Sequence, residues 1–195
     1  FLKQLECGTI MYGQSSYDYR EGTLMCVAPG QIAGANDGGV TKQPKGWILM
    51  FHPDLLRGTS LANKIRDYSF FSYTSNEALH TSERERQTII GCMREIREEL
   101  QHPIDKHSKR IIATNIELLL NHCIRFYDRQ FVTREEINHD VLNRFEELLI
   151  GYFDSPEVTK LGLPTVAWFA DKLHLSPNYF GDLVKRELGV SAQEY

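Results

Sequence analysis

The sequence predicts an α+β protein: a partial β-barrel or jelly-roll at the N-terminal end, a helical hairpin, then an all-α helix-turn-helix unit. Three observations carry this reading. Of 14 glycines, all but Gly91, Gly151, Gly162, Gly181 and Gly189 lie before residue 60, among short apolar runs. From about residue 81 the apolar spacing changes to threes and fours. From Pro164 onward each helix boundary carries a cap or a breaker.

The N-terminal elements follow from the first observation. Residues Thr9–Tyr12, 23–27 and 47–52 are apolar runs, and 68–73 alternates as a half-buried strand does. Between them stand turn formers: Arg20, Glu21 and Gly22; Pro29 and Gly30; and Asn36, Asp37, Gly38 and Gly39. No helix-length segment intervenes, so a parallel sheet is excluded and a sandwich or small barrel is expected.

The second observation gives the hairpin. Ile89, Met93, Ile96 and Leu100 form one seam, opened by Ser82 and Glu85 as a capping box and closed by Pro103. Ile112, Ile116, Leu119, Cys123 and Phe126 repeat it. Such seams pack on each other within the chain or serve a second copy, so core and dimer contact both stand as expectations. A third helix is expected over 138–154, with 156–164 as a loop. Phe131, Val132 and Thr133 mark the break before a separate unit, giving regions 1–80, 81–130 and 131–195.

Composition sets the outer bounds. With 195 residues, 42% hydrophobic, the chain can bury a real core in one or two domains. It holds no run near the roughly 18 apolar residues of a membrane span, and no basic leader or small-residue cleavage site. No membrane contact is expected, and the location is expected to be cytoplasmic. Cys7, Cys26, Cys92 and Cys123 are scattered without a C-x-x-C pair, which reads as reduced thiols, not a zinc knuckle. The net charge of -4 speaks against a generic nucleic-acid binder.

The third observation answers that objection. Thr165 caps a short helix over 166–173; Ser176 caps the next, with Pro177 at its first position and Gly189 at its end. Ala170 falls where two crossing helices need a small residue. Phe169, Leu173, Leu175, Phe180 and Leu183 are placed to build a three-helix core with the preceding helix.

Residues 164–195, PTVAWFADKLHLSPNYFGDLVKRELGVSAQEY, resemble the first helix-turn-helix of AraC/XylS-type transcriptional regulators. Val166, Ala170, Leu173, Leu175, Ser176, Tyr179, Phe180, Leu183, Lys185, Gly189 and the closing stretch from Ser191 to Tyr195 carry the match. The resemblance implies a cupin-like sensing region over 1–80, dimerisation through the hairpin, and a helix-turn-helix at 165–188 that enters the major groove of promoter DNA. It thereby implies double-stranded DNA, a second copy and a small-molecule effector as partners, and neither an enzymatic activity nor a cofactor. Carried onto this chain, the DNA-facing set is Ser176, Asn178, Gly181, Asp182, Lys185 and Arg186. Asn178 suits adenine, and Lys185 and Arg186 suit phosphate. Asp182 suits either a cytosine amino group or a helical salt bridge to Arg186. Gly181 has no side chain with which to read a base.

Between Lys160 and Tyr195 the cations Lys160, Lys172, Lys185 and Arg186 are balanced by Asp171, Asp182, Glu187 and Glu194. One neutral unit of this kind binds DNA weakly. Ser191 and Glu194 repeat the capping-box spacing, so a further helix and the family's second helix-turn-helix are expected beyond Tyr195. The initial Phe1 likewise leads us to expect residues upstream.

For the effector, Tyr12, Met25, Trp47 and Met50 are candidate walls of a barrel interior, with ordinary core as the alternative. The competing function is a cupin-type metal-dependent enzyme or ligand-binding protein whose helices serve association. It would need a convergent His and carboxylate set, whereas His52 and His80 stand alone, and no metal site is expected.

Overall fold

The computed structural model describes residues 2–3, 9–12, 15–18, 22–31, 33–36, 46–74 and 77–195. Cys7 and the turn residues Arg20, Glu21, Asp37, Gly38 and Gly39 lie outside them. The chain is mostly helical. Among the described residues strand is confined to β1 (Leu2–Lys3), β2 (Thr9–Tyr12), β3 (Ser15–Asp18), β4 (Thr23–Leu24), β5 (Ala33–Asn36), β6 (Gly46–Trp47) and β7 (Leu79–His80). All described pairings are antiparallel, in the orders β6-β1-β4-β7 and β3-β2-β5.

This corrects the expected α+β class with its cupin-like barrel or jelly-roll. Both sheet orders are open, and among the described residues nothing closes into a barrel. Closing a sheet requires its two edge strands to pair with each other, and no such pairing joins β6 to β7 or β3 to β5 among the described residues. Glycines and turn formers mark where extended segments end; they do not lengthen them.

Two expected strands become something else. Residues 68–73 form a 3-10 turn, Ser69–Ser72, which buries Tyr68, Phe70 and Tyr73 together. A strand would put 68, 70 and 72 on one face, so burying Tyr73 in place of Ser72 demands a change of period. The run 47–52 pairs only at Gly46–Trp47. Pro53, lacking an amide hydrogen, then opens a 3-10 helix, Pro53–Leu55, capped by His52 Nδ1, which accepts from the Asp54 amide at 3.2 Å. The turn at Pro29 and Gly30 forms as expected, with Gly30 at φ +83° and the Gln31 amide donating to Ala28 O.

The helices are α1 (Leu61–Lys64), α2 (Glu83–Gln101), α3 (Ser108–Thr133), α4 (Glu135–Phe153), α5 (Glu157–Leu161), α6 (Val166–Lys172) and α7 (Pro177–Leu188). At the start of α2 the Ser82–Glu85 capping box is complete. Arg129 of α3 reaches across to Glu85 with two hydrogen bonds, at 3.1 and 2.9 Å, and to His80 O at 2.7 Å. Burial alone would raise the Glu85 carboxyl; hydrogen bonds from Ser82 and Arg129 outweigh it and hold the group below its usual range.

The two seams are buried in the chain's own core: Ile89, Met93 and Ile96 from α2, with Ile112, Ile116, Leu119, Cys123 and Phe126 from α3. Leu100, expected on the seam, is 59% exposed at the end of α2. α3 continues unbroken through Phe131, Val132 and Thr133, and α5 occupies the expected loop at 156–164. The core is continuous from Leu2 and Leu24 to Phe180 and Val184. Cys26, Cys92 and Cys123 are free thiols.

Candidate nucleic-acid interface

Each end of the α6 and α7 pair is fixed by a local device. Thr165 accepts from the Trp168 amide at 3.1 Å, and Ser176 from the Tyr179 amide at 3.2 Å. Pro177 opens α7, and Gly189 ends it in the left-handed region at φ +75°. The turn between the helices puts His174 at φ +58°, a conformation that histidine tolerates better than a β-branched residue. The Leu175 amide then donates to Ala170 O at 2.9 Å. Ala170 is fully buried, which allows that close return.

Phe145 of α4 anchors the pair. Its ring meets Phe169 edge-on at 5.0 Å and 90°, and Phe180 at 5.0 Å and 73°. Leu173 and Leu183 are buried beside them, while Leu175 is half-buried at the core edge. Beyond α7, Ser191 and Glu194 close their own box: the Ser191 amide and hydroxyl donate to Glu194 Oε2 at 2.9 and 2.7 Å. The Glu194 amide donates back to Ser191 Oγ at 3.3 Å.

The six candidate DNA residues divide into two groups. Asn178 and Lys185 are exposed, and a Cβ added at Gly181 would meet nothing within 4 Å. The other three are bonded within the chain. The Ser176 amide and hydroxyl both donate to the carboxylate of Glu77, each at 2.6 Å. Tyr73 Oη donates to Asp182 Oδ2 at 2.6 Å. Arg186 donates to Asp128 Oδ1 at 2.7 Å and lies 5.7 Å from the ring centre of Phe131. The expected alternatives for Asp182 were a base or Arg186; its hydrogen-bond partner in the fold is a tyrosine.

Glu77 is 2% exposed and also accepts from the Thr74 amide at 2.6 Å. Tyr73 stands edge-on to Tyr179 at 5.2 Å. Burial, then the neighbouring Asp182 carboxylate to which it donates, push the Tyr73 phenol well above its ordinary pKa. Glu77, Tyr73 and Asp128 had no sequence signal, since Glu77 and Ser176 lie 99 positions apart.

The candidate effector walls whose side chains are described differ in burial. Met25 is buried, Trp47 is half-buried with the Arg97 guanidinium 5.1 Å from its ring centre, and Met50 is 86% exposed. Tyr12 lies in β2, outside the residues whose side chains are described. A cavity of about 370 Å³ opens elsewhere, lined by Arg57, Lys106, Lys109 and Arg110 together with Thr59 and Ser60. Arg57 is paired with Asp54 at 2.8 Å, and Asp105 accepts from the amides of His107 and Ser108 at the start of α3. The remaining cations make the cleft suited to an anion.

Among the described residues no group of three His, Cys, Asp or Glu could hold a metal ion. His52 caps a 3-10 turn, and the His80 ring lies 3.5 Å from Thr23 Oγ1. Also among them, no helix is long and apolar enough to cross a membrane. No protein-family model, curated protein or solved structure matches this chain.

Proposed function

We propose that the protein is a sequence-specific DNA-binding transcriptional regulator of the AraC/XylS kind, with α7 as its reading helix. The observation that supports it most directly is the pair α6 and α7, capped at both starts and seated on Phe145, with Asn178 and Lys185 exposed along α7. Asn178 would read adenine and Lys185 would hold phosphate. A second copy binding through the helical hairpin suits paired half-sites. The small effector belongs, on this reading, to the N-terminal region 1–80; the cleft where Arg57 of that region meets Lys106, Lys109 and Arg110 of the hairpin suits an anion.

The test is selection of bound sequences from a random duplex library by the full-length protein. A recurrent site is expected. Lys185→Ala should weaken binding to that site and reduce the salt slope by about one. Recovery of no enriched sequence would refute the reading.

A further inference from the structure

We infer that the side chains of Tyr73 and Glu77 are internal competitors of DNA, with the Glu77 carboxylate occupying the phosphate position at the start of α7. The inference rests on the regulator reading and adds its control. The start of a reading helix offers an amide and a capping hydroxyl to a backbone phosphate, because both are donors at the positive end of the helix dipole. In this fold those two donors, from Ser176, are already spent on the two oxygens of one buried anion.

Two further contacts extend the lock along the same helix. Tyr73 Oη holds Asp182, and Asp128 of α3 holds Arg186. Asp182 and Arg186 lie about one turn apart on α7, six and ten residues after the capping Ser176. At these contacts Ser176 is buried and Asp182 half-buried, while Asn178, Lys185 and Arg186 stay exposed. DNA reaching for the start of α7 must displace a carboxylate that is 2% exposed and makes three hydrogen bonds at 2.6 Å. The chemistry is self-consistent: carboxylate and phosphate are both oxyanions that accept from the same donors, and they repel each other, so both cannot occupy the site. DNA and the Glu77–Ser176 contact are thus mutually exclusive, so a ligand that binds only when the contact is broken raises DNA affinity, and DNA raises that ligand's affinity by the same factor.

The experiment measures affinity of the full-length protein for its selected DNA site, comparing wild type with Glu77→Gln, Tyr73→Phe and Asp128→Asn. Glu77→Gln removes the competing charge and should tighten binding about tenfold, the scale of one charge-assisted hydrogen bond. Tyr73→Phe keeps the ring and its packing, and should tighten binding roughly threefold by releasing Asp182. Asp128→Asn should steepen the salt slope by about one, since Arg186 is freed for a phosphate. If Glu77→Gln does not fold, Tyr73→Phe decides.

Folded variants that bind the selected site with wild-type affinity and slope overturn the inference and leave the regulator reading standing. Failure of wild type and every variant to select any DNA overturns both.

Discussion

The α2–α3 hairpin and the α6–α7 pair are both two helices joined by a short connection, yet they are held by different physics. The hairpin helices have 19 and 26 residues, enough turns to bury an aliphatic seam on each side. The second pair has 7 and 12 residues. Helices that short do not hold by propensity and have few turns to bury, so their ends and one aromatic anchor carry a larger share of the stability. A long pair is stabilised along its length and a short pair at its boundaries. The short pair is also the one in which Ser176, Asp182 and Arg186 are each bonded to residues from earlier in the chain.

Removing the anchor should have the largest effect. Phe145→Ala is expected to cost about 3–5 kcal/mol, because it opens a cavity between three helices at once. In urea denaturation followed by circular dichroism it should cost at least as much as Ile116→Ala in the hairpin, expected at about 2–5 kcal/mol. A smaller loss for Phe145→Ala would show that the short pair does not depend on its anchor.

Next come the caps. Ser82→Ala should cost about 1 kcal/mol, the ordinary value for an N-cap. Ser176→Ala should cost about 2–3 kcal/mol, because it also removes one of the three donors to the buried Glu77 carboxylate. Equal losses in thermal unfolding would place Glu77 outside the folded contact set.

A smaller effect of opposite sign is expected at Gly181. A Cβ there meets nothing within 4 Å, so Gly181→Ala should stabilise α7 by about 0.5–1 kcal/mol through backbone entropy. Destabilisation by this variant would reveal a close approach that the fold does not show.

The gentlest probe is acid. Glu85 titrates below its usual value, so its contribution is fully present above about 4.5 and is lost as pH falls through the lower folded value. The difference in melting temperature between wild type and Glu85→Gln should therefore shrink in that acidic window. A constant difference would remove Glu85 as the linked group.

What was legible in the sequence follows the same division. The devices at the ends of α6 and α7 act over three or four positions, so Thr165, Ser176, Pro177 and Gly189 could be read directly. The α2 box was legible for the same reason. The β region was misread because turn formers report where a segment ends, while sheet closure depends on which distant segments pair. Alternation at 68–73 failed because Tyr73 is drawn inward by Tyr127 and Tyr179, residues on helices far along the chain. α5 escaped because five residues between two prolines carry too little periodic signal. Of the candidate DNA residues, Asn178, Lys185 and Arg186 are exposed, as outward helix positions are. The partners of Ser176, Asp182 and Arg186 depend on tertiary contacts that no local pattern announces.

α3 gives these contacts a mechanical setting. Its 26 residues form a single rod about 39 Å long at 1.5 Å per residue. Lys109 and Arg110 of the cationic cleft ride its first turn, and Asp128, which holds Arg186, rides its far end. With Ile112, Ile116, Leu119, Cys123 and Phe126 buried along it, the rod joins the cleft at its start and the Asp128 contact near its end in one rigid element.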